Sequence, residues 1–257
     1  MNRIYVVTGA GSGIGAATTA CLRARGDRVI ACDLREGDVM ADLSTAAGRA
    51  TLIDGVGRLS QGRIDGVVAN AGGGPVDSML ALNFFGAVAT LDGLRPLLAK
   101  SRAPRAVAVS SVSSLALGAA DVIDACLSMD EPKAIAIGRR AIDEKNEGVL
   151  YGSAKRALNR WCRRVAATPE WAGAGILLNV VAPGFVDTPA AQYILTNPAG
   201  RAEMDRLVPL RAGRPGRASE MAAMLAWCVG EENALLTGQV LFVDGGLECL
   251  ARGEQYW

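Results

Sequence analysis

The 257 residues contain no histidine. That excludes the Ser-His-Asp and Cys-His nucleophilic machineries and most zinc sites together. Acid–base chemistry must therefore fall to tyrosine, lysine, cysteine or carboxylates. A charge excess is also missing: 27 Lys and Arg face 26 Asp and Glu, for a net +1. Such a balance gives no electrostatic case for nucleic acid or an acidic membrane surface. Aromatic residues are scarce, at 5%. No C-x-x-C pair occurs among Cys21, Cys32, Cys126, Cys162, Cys228 and Cys249, which sit mostly in apolar stretches. That usage fits small hydrophobes in a reducing cytosol, not a disulfide framework. No apolar run reaches the roughly 18 residues of a membrane span. The first core strand is expected to start by residue 4, so no signal peptide is expected. A cytoplasmic protein without metal, membrane or nucleic-acid partner is expected.

What is abundant is glycine, 31 residues, and hydrophobic residues, half of the chain. The pattern begins with Ile4-Tyr5-Val6-Val7, an apolar run suited to a buried parallel strand. It enters a turn with glycine at 9, 11, 13 and 15, and a periodic helix follows from Ile14 to about Leu22. Strand, glycine turn and helix form the context in which such glycines bind a dinucleotide. They let the chain turn sharply and a pyrophosphate approach, while the helix start offers unpaired N–H groups. No Gly-Lys-Ser/Thr closes the turn, so a P-loop is excluded. Asp33 ends the second strand, Arg28–Asp33, eighteen residues beyond Gly15. A carboxylate there takes ribose hydroxyls and repels a 2′-phosphate, favouring NAD over NADP. Arg35 pulls the other way.

Further strands are expected at 39–42 (with Asp42 near the adenine), 64–69, 105–110, 176–181 and 240–243, and helices at 45–60, from Pro75 through Asn83 towards Lys100, and from Tyr151 to about Thr168. Ser219 reads as the N-cap of a last helix running through Cys228. Residues 184–217 read as a long substrate lid punctuated by Pro and Gly. Strands alternate with helices throughout, without a linker or repeat. The reading is α/β: a single doubly wound parallel sheet, Rossmann-type, spanning residues 1–257.

Tyr151 and Lys155 lie four apart at the expected helix start, on one face. A lysine beside a tyrosine favours the phenolate and lowers its pKa from about 10, giving an acid–base group in a chain without histidine. Taken alone, such a spacing is more often structural. Here it follows Thr8-Gly9-x-x-x-Gly13-x-Gly15, Asn70-Ala71-Gly72 and Ser111, and precedes Pro183-Gly184, Thr188 and Asp244-Gly245-Gly246. In this order, at these strand ends, the motifs make the chain resemble the short-chain dehydrogenase/reductase family from residue 4 to 246.

The resemblance implies a sheet of about seven strands and direct hydride transfer with a nicotinamide cofactor, between an alcohol and a ketone. It implies Tyr151 as general acid/base, Ser111 steadying the substrate oxygen with Ser110 as its rival, and Lys155 holding the nicotinamide ribose and lowering the tyrosine pKa. It places Asn83 in support of a proton-relay water. Cofactor contacts are implied from Gly9, Gly11, Ser12, Gly13, Ile14 and Gly15 in the turn. Asp33, Leu34, Asp42, Leu43, Asn70, Ala71 and Gly72 follow, then Tyr151, Lys155, Pro183, Gly184, Val186 and Thr188. Asn70 supports the central strand, and Thr188 contacts the carboxamide or pyrophosphate.

Ser111 and Tyr151 stand forty residues apart, whereas most of the family places them much closer. Residues 115–147 thus read as a helical insertion before the catalytic helix. With Ala41-Asp42-Leu43-Ser44-Thr45 after the second strand, this resembles the bacterial 3α-hydroxysteroid dehydrogenase/carbonyl reductase group. The resemblance implies a 3α-hydroxysteroid or similar alicyclic substrate; another cyclic, terpene or aryl alcohol is the alternative, and a non-catalytic dinucleotide sensor a remote one. An insertion beside the catalytic helix could cover a face that the family uses for assembly, so a homodimer is expected before a tetramer.

Overall fold

The computed structural model describes residues 3–254 except 117, 201, 203–208 and 210, and not the side chain of residue 193. Seven strands form one parallel sheet in the order β3-β2-β1-β4-β5-β6-β9. They are β1 (Ile4–Thr8), β2 (Arg28–Asp33), β3 (Val39–Met40), β4 (Gly66–Ala69), β5 (Arg105–Val109), β6 (Leu177–Pro183) and β9 (Val240–Val243). The chain order reverses beside β1, so a crevice opens at the carboxyl ends of β1 and β4, the switch point where α/β sheets bind ligands.

The sheet is covered on both faces. Tyr5 and Val7 pack with Leu22 of α1 (Gly13–Ala24) and Leu225 and Val229 of α8 (Ala218–Val229). Val6, between them, faces Leu52 of α2 (Ala46–Leu59), Leu91 of α3 (Ala87–Leu98) and Leu158 of α6 (Gly148–Ala166). This is the period-2 alternation of a strand buried on both sides. Residues 116–147 carry two helices, α4 (Ala120–Leu127) and α5 (Glu131–Asp143), and α4 lies against α6. A two-stranded sheet, β7 (Val186–Asp187) with β8 (Gly216–Arg217), ties together the ends of the expected lid. Between them lies the single turn α7 (Gln192–Leu195); much of 201–210 falls outside the described residues. A short α9 (Leu247–Arg252) follows β9.

Several local expectations are corrected. Helix α6 begins at Gly148, so Tyr151 lies one turn inside it; burial of Leu150 in the core draws the extra turn into the helix. Ser219 does not cap α8. The cap is Arg217 and the helix starts two residues earlier, because the Glu220 carboxylate accepts the Arg217 N–H at 2.8 Å and is itself gripped by Arg214. That helix is not the last, since α9 follows. The single helix expected after Pro75 is a 3₁₀ turn (Val76–Ser78), a π-turn (Ala81–Gly86) and then α3. Within the π-turn, Asn83 Nδ2 donates to the carbonyls of Met79 and Gly73, both at 2.9 Å, diverting the local ladder.

Candidate active site

The crevice is a cleft of about 470 Å³ running from Asp33 and Leu34 at one end to Ser111 and Tyr151 at the other. Its floor is the glycine turn. Gly9 has φ +66° and Gly13 φ +52°, a region that glycine alone enters freely. A Cβ on Gly15 would overlap the Gly9 carbonyl oxygen, so only glycine lets α1 seat against the turn. Ser12 precedes α1 without a side-chain cap, which leaves the first N–H groups of the helix facing the cleft. A pyrophosphate fits such unpaired donors at a positive helix end. Asn70 fixes the turn, donating from Nδ2 to the carbonyls of Thr8 (3.0 Å) and Gly9 (3.3 Å). The Thr8 hydroxyl accepts the N–H groups of Asn70 and Ala71, both at 3.0 Å.

At the adenosine end, Asp33 Oδ2 accepts the Gly11 N–H at 3.0 Å, and Oδ1 accepts the Arg35 N–H at 3.3 Å. The carboxylate thus stands at the rim of the turn, placed for a ribose. Asp42 holds its own loop by accepting from the Ser44 N–H (2.9 Å) and hydroxyl (2.6 Å). Asp42 and Leu43 line the cleft beside Leu34. A Cβ on Gly48 would overlap the Asp42 carbonyl, so the glycine that weakens α2 also lets it approach this loop.

At the other end, Tyr151 and Ser111 line the cleft together, close enough for the Ser111 hydroxyl to favour the phenolate, and Ser111 Oγ donates to Ser113 Oγ at 3.2 Å. Ser111 caps the 3₁₀ turn Val112–Leu115 and lines the cleft. Ser110 is buried, and its hydroxyl donates to the Lys155 carbonyl at 3.4 Å, away from the phenol. Lys155 Nζ, also buried, donates to the Val109 carbonyl at 3.0 Å and lies 5.6 Å from the centre of the Tyr151 ring. Burial lowers the Lys155 pKa to about 8. The expectation that Lys155 depresses the Tyr151 pKa is corrected: burial pushes the phenol up, and the Ser111 hydroxyl offsets only part of this. The ring and amine are close, but without a formed hydrogen bond the cost of desolvating the phenolate dominates.

Pro183, Gly184, Val186 and Thr188 line the wall opposite, as do Ile14, Asn70, Ala71 and Gly72 along the cleft. Three expected residues do not line it. Gly11 faces Asp33, Gly15 packs under Gly9, and Asn83 is fully buried behind the wall. Asn83 Oδ1 accepts the Gly73 N–H at 3.0 Å, so its amide braces the loop after β4. Sequence reading missed Gly73, Gly74, Leu82, Pro189 and Ala190, which also line the cleft. The run Gly72-Gly73-Gly74 was the available signal: Gly73 and Gly74 have φ near +83° and +86°.

A parallel seven-stranded sheet with a glycine turn and Asp33 at one end of a carboxyl-edge cleft, and Ser111, Tyr151 and the buried Lys155 at the other, has the layout of a Rossmann-type dehydrogenase. The chain belongs to the short-chain dehydrogenase/reductase family. Residues 3–122 match the family profile described as short chain dehydrogenase, and residues 133–248 the one described as Enoyl-(Acyl carrier protein) reductase. The chain is 36% identical to the 3-alpha-hydroxysteroid dehydrogenase/carbonyl reductase of Comamonas testosteroni, over 98% of this chain and 99% of that one. It is 32% identical to the cis-4-hydroxycyclohexanecarboxylate dehydrogenase of Sinomonas cyclohexanicum, over 95% and 96% of the two chains. Among solved structures, the 3-alpha-hydroxysteroid dehydrogenase of Pseudomonas sp. B-0831, complexed with NADH, superposes with a TM-score of 0.90 at 36% identity over 98% and 99% of the chains. No described helix is long and apolar enough to cross a membrane.

Proposed function

We propose that this protein is an NAD(H)-dependent oxidoreductase that interconverts a secondary alcohol and a ketone, with a 3α-hydroxysteroid or similar alicyclic carbonyl as substrate. The observation that carries the reading is that Ser111, Tyr151 and Lys155 line the same cleft that begins at the glycine turn and Asp33. The N–H groups at the start of α1 would hold the pyrophosphate, Asp33 the adenosine ribose and Lys155 the nicotinamide ribose. Among the described residues, Lys155 spends one N–H on Val109, which leaves two for that task. A bound nicotinamide supplies the hydride acceptor for oxidation or the donor for reduction. The chain's own residues handle the proton. In reduction the Tyr151 phenol, the form that burial favours, donates its proton to the substrate oxygen while the Ser111 hydroxyl hydrogen-bonds that oxygen; in oxidation the small phenolate fraction takes the proton back.

The apolar groups that line the cleft, among them Leu82, Val186, Pro189 and Ala190, support an uncharged ring as substrate. A second reading, a smaller alicyclic alcohol, is supported by the likeness to the cyclohexanecarboxylate dehydrogenase. Helices α4 and α5 on the α6 side support a homodimer rather than a tetramer, which sedimentation equilibrium tests. Six unpaired cysteines fit a cytoplasmic setting.

The test is formation of NADH, followed by its near-ultraviolet absorbance, with 3α- and 3β-hydroxysteroids, cycloalkanols, terpenols and aryl alcohols, using NAD and NADP in turn. Fast NAD reduction with a 3α-hydroxysteroid is the expected result. Activity confined to small rings would select the second reading. NADH binding without any turnover would favour a non-catalytic sensor.

A further inference from the structure

The Arg49 side chain, in the first turn of α2, meets three parts of the molecule at once. Its Nε donates to the Leu43 carbonyl at 2.8 Å, and one terminal nitrogen donates to the Ser44 and Ala81 carbonyls at 3.3 and 2.9 Å. The fork closes on both carboxylate oxygens of Glu131, each at 2.6 Å. Its guanidinium carbon lies 6.0 Å from the centre of the Phe85 ring. The group is buried, and all of these bonds are made by one rigid plane.

The partners share a geometric meaning. Leu43 lines the adenosine end of the cleft, and Ala81 opens the π-turn whose next residue, Leu82, also lines the cleft. Glu131 is the first residue of α5, on the helix pair between Ser111 and Tyr151. Neither helix needs the pair in order to start. Thr45 caps α2 by accepting the Gly48 N–H at 3.0 Å, and Asp130 caps α5 by accepting the Lys133 N–H at 3.0 Å. The ion pair is therefore surplus to helix formation and is spent on fixing two cleft walls relative to α5.

We infer that Arg49 and Glu131 are positioning residues for the cofactor, with Glu131 holding the guanidinium in the orientation that sets the Leu43 and Ala81–Leu82 walls. The inference rests on a dinucleotide occupying this cleft. It does not depend on which alcohol is oxidised.

The experiment titrates NADH and ADP-ribose calorimetrically into wild type, Glu131→Gln, Glu131→Asp and Arg49→Lys, with a thermal unfolding curve for each. Glu131→Gln should weaken both ligands about fivefold. Its unfolding midpoint should fall by a few degrees, because the buried guanidinium loses its counter-charge, but the protein should stay folded at the assay temperature and kcat at saturating cofactor should change by less than about twofold. Glu131→Asp, which keeps the charge, should recover part of the affinity, whereas Arg49→Lys, which lacks the fork, should not. Should Arg49→Lys fail to fold, Glu131→Gln decides alone. Unchanged affinity in Glu131→Gln, or a loss that merely tracks loss of folded protein, would overturn the inference. Failure of wild type to bind NADH would instead bring down the cofactor reading beneath it.

Discussion

At the amino end of the sheet, Arg3 donates to the Tyr5 hydroxyl (2.8 Å), to Glu231 (3.0 Å) and to the carbonyls of Asp65 (3.0 Å) and Ala103 (2.7 Å). Asp65 in turn accepts the Ile4 N–H at 2.9 Å and the Ser101 hydroxyl at 2.6 Å. At the carboxyl end, α1 opens without a side-chain cap, and the buried Lys155 amine spends only one of its donors on Val109 among the described residues. The same strands thus end in a satisfied polar lock on one side and in buried donors held in reserve on the other. Buried polar groups normally find partners, so the side that leaves them open marks the place prepared for a ligand.

Four changes break or sharpen this contrast. Tyr151→Phe removes the proton-carrying oxygen and should lower turnover by roughly a thousandfold, read by steady-state kinetics. Lys155 gives a stability signature. Its folded pKa, about 8, lies below its unfolded value. Between the two, the unfolded chain binds more protons, so stability should rise by roughly 2–3 kcal/mol from pH 8 towards pH 10. Below pH 8 both states carry the proton and the penalty is fully present. Tyr151, with its raised pKa, acts oppositely above its unfolded value of about 10. Denaturant unfolding across this window should show the rise in wild type, and Lys155→Met should remove it. At the opposite end, Arg3→Met should cost about 2 kcal/mol of stability in the same assay and leave turnover unchanged. Asp33→Ser should have the smallest effect, raising the NADPH to NADH affinity ratio about tenfold in a binding titration.

The backbone-determined half of the site was legible because its chemistry resides in absent side chains. Gly9, Gly13 and Gly15 each occupy a place that a Cβ would strain or fill, and Asp33 follows at the distance a second strand requires. The Ser111 and Tyr151 pairing was legible through order along the chain, although forty residues separate them. What the sequence hid depends on packing and long-range contacts. Burial, not the neighbouring amine, decides the direction of the Tyr151 pKa. The start of α6 follows Leu150 into the core, and the cap of α8 is Arg217, held by Glu220, rather than Ser219. Arg49 looks like one of many surface arginines until Leu43, Ala81 and Glu131 are brought around it.

Under the proposed function, binding and chemistry are separable along the cleft: backbone groups and Asp33 would hold the cofactor, and Tyr151, beside Ser111, would move the proton. The most direct measurement is an NADH titration of the double variant Ser111→Ala/Tyr151→Phe, run beside its turnover on whichever alcohol the wild type oxidises. The account expects an NADH dissociation constant within about threefold of wild type, with turnover at background. Near-normal turnover, or loss of NADH binding in a variant that remains folded, would contradict it.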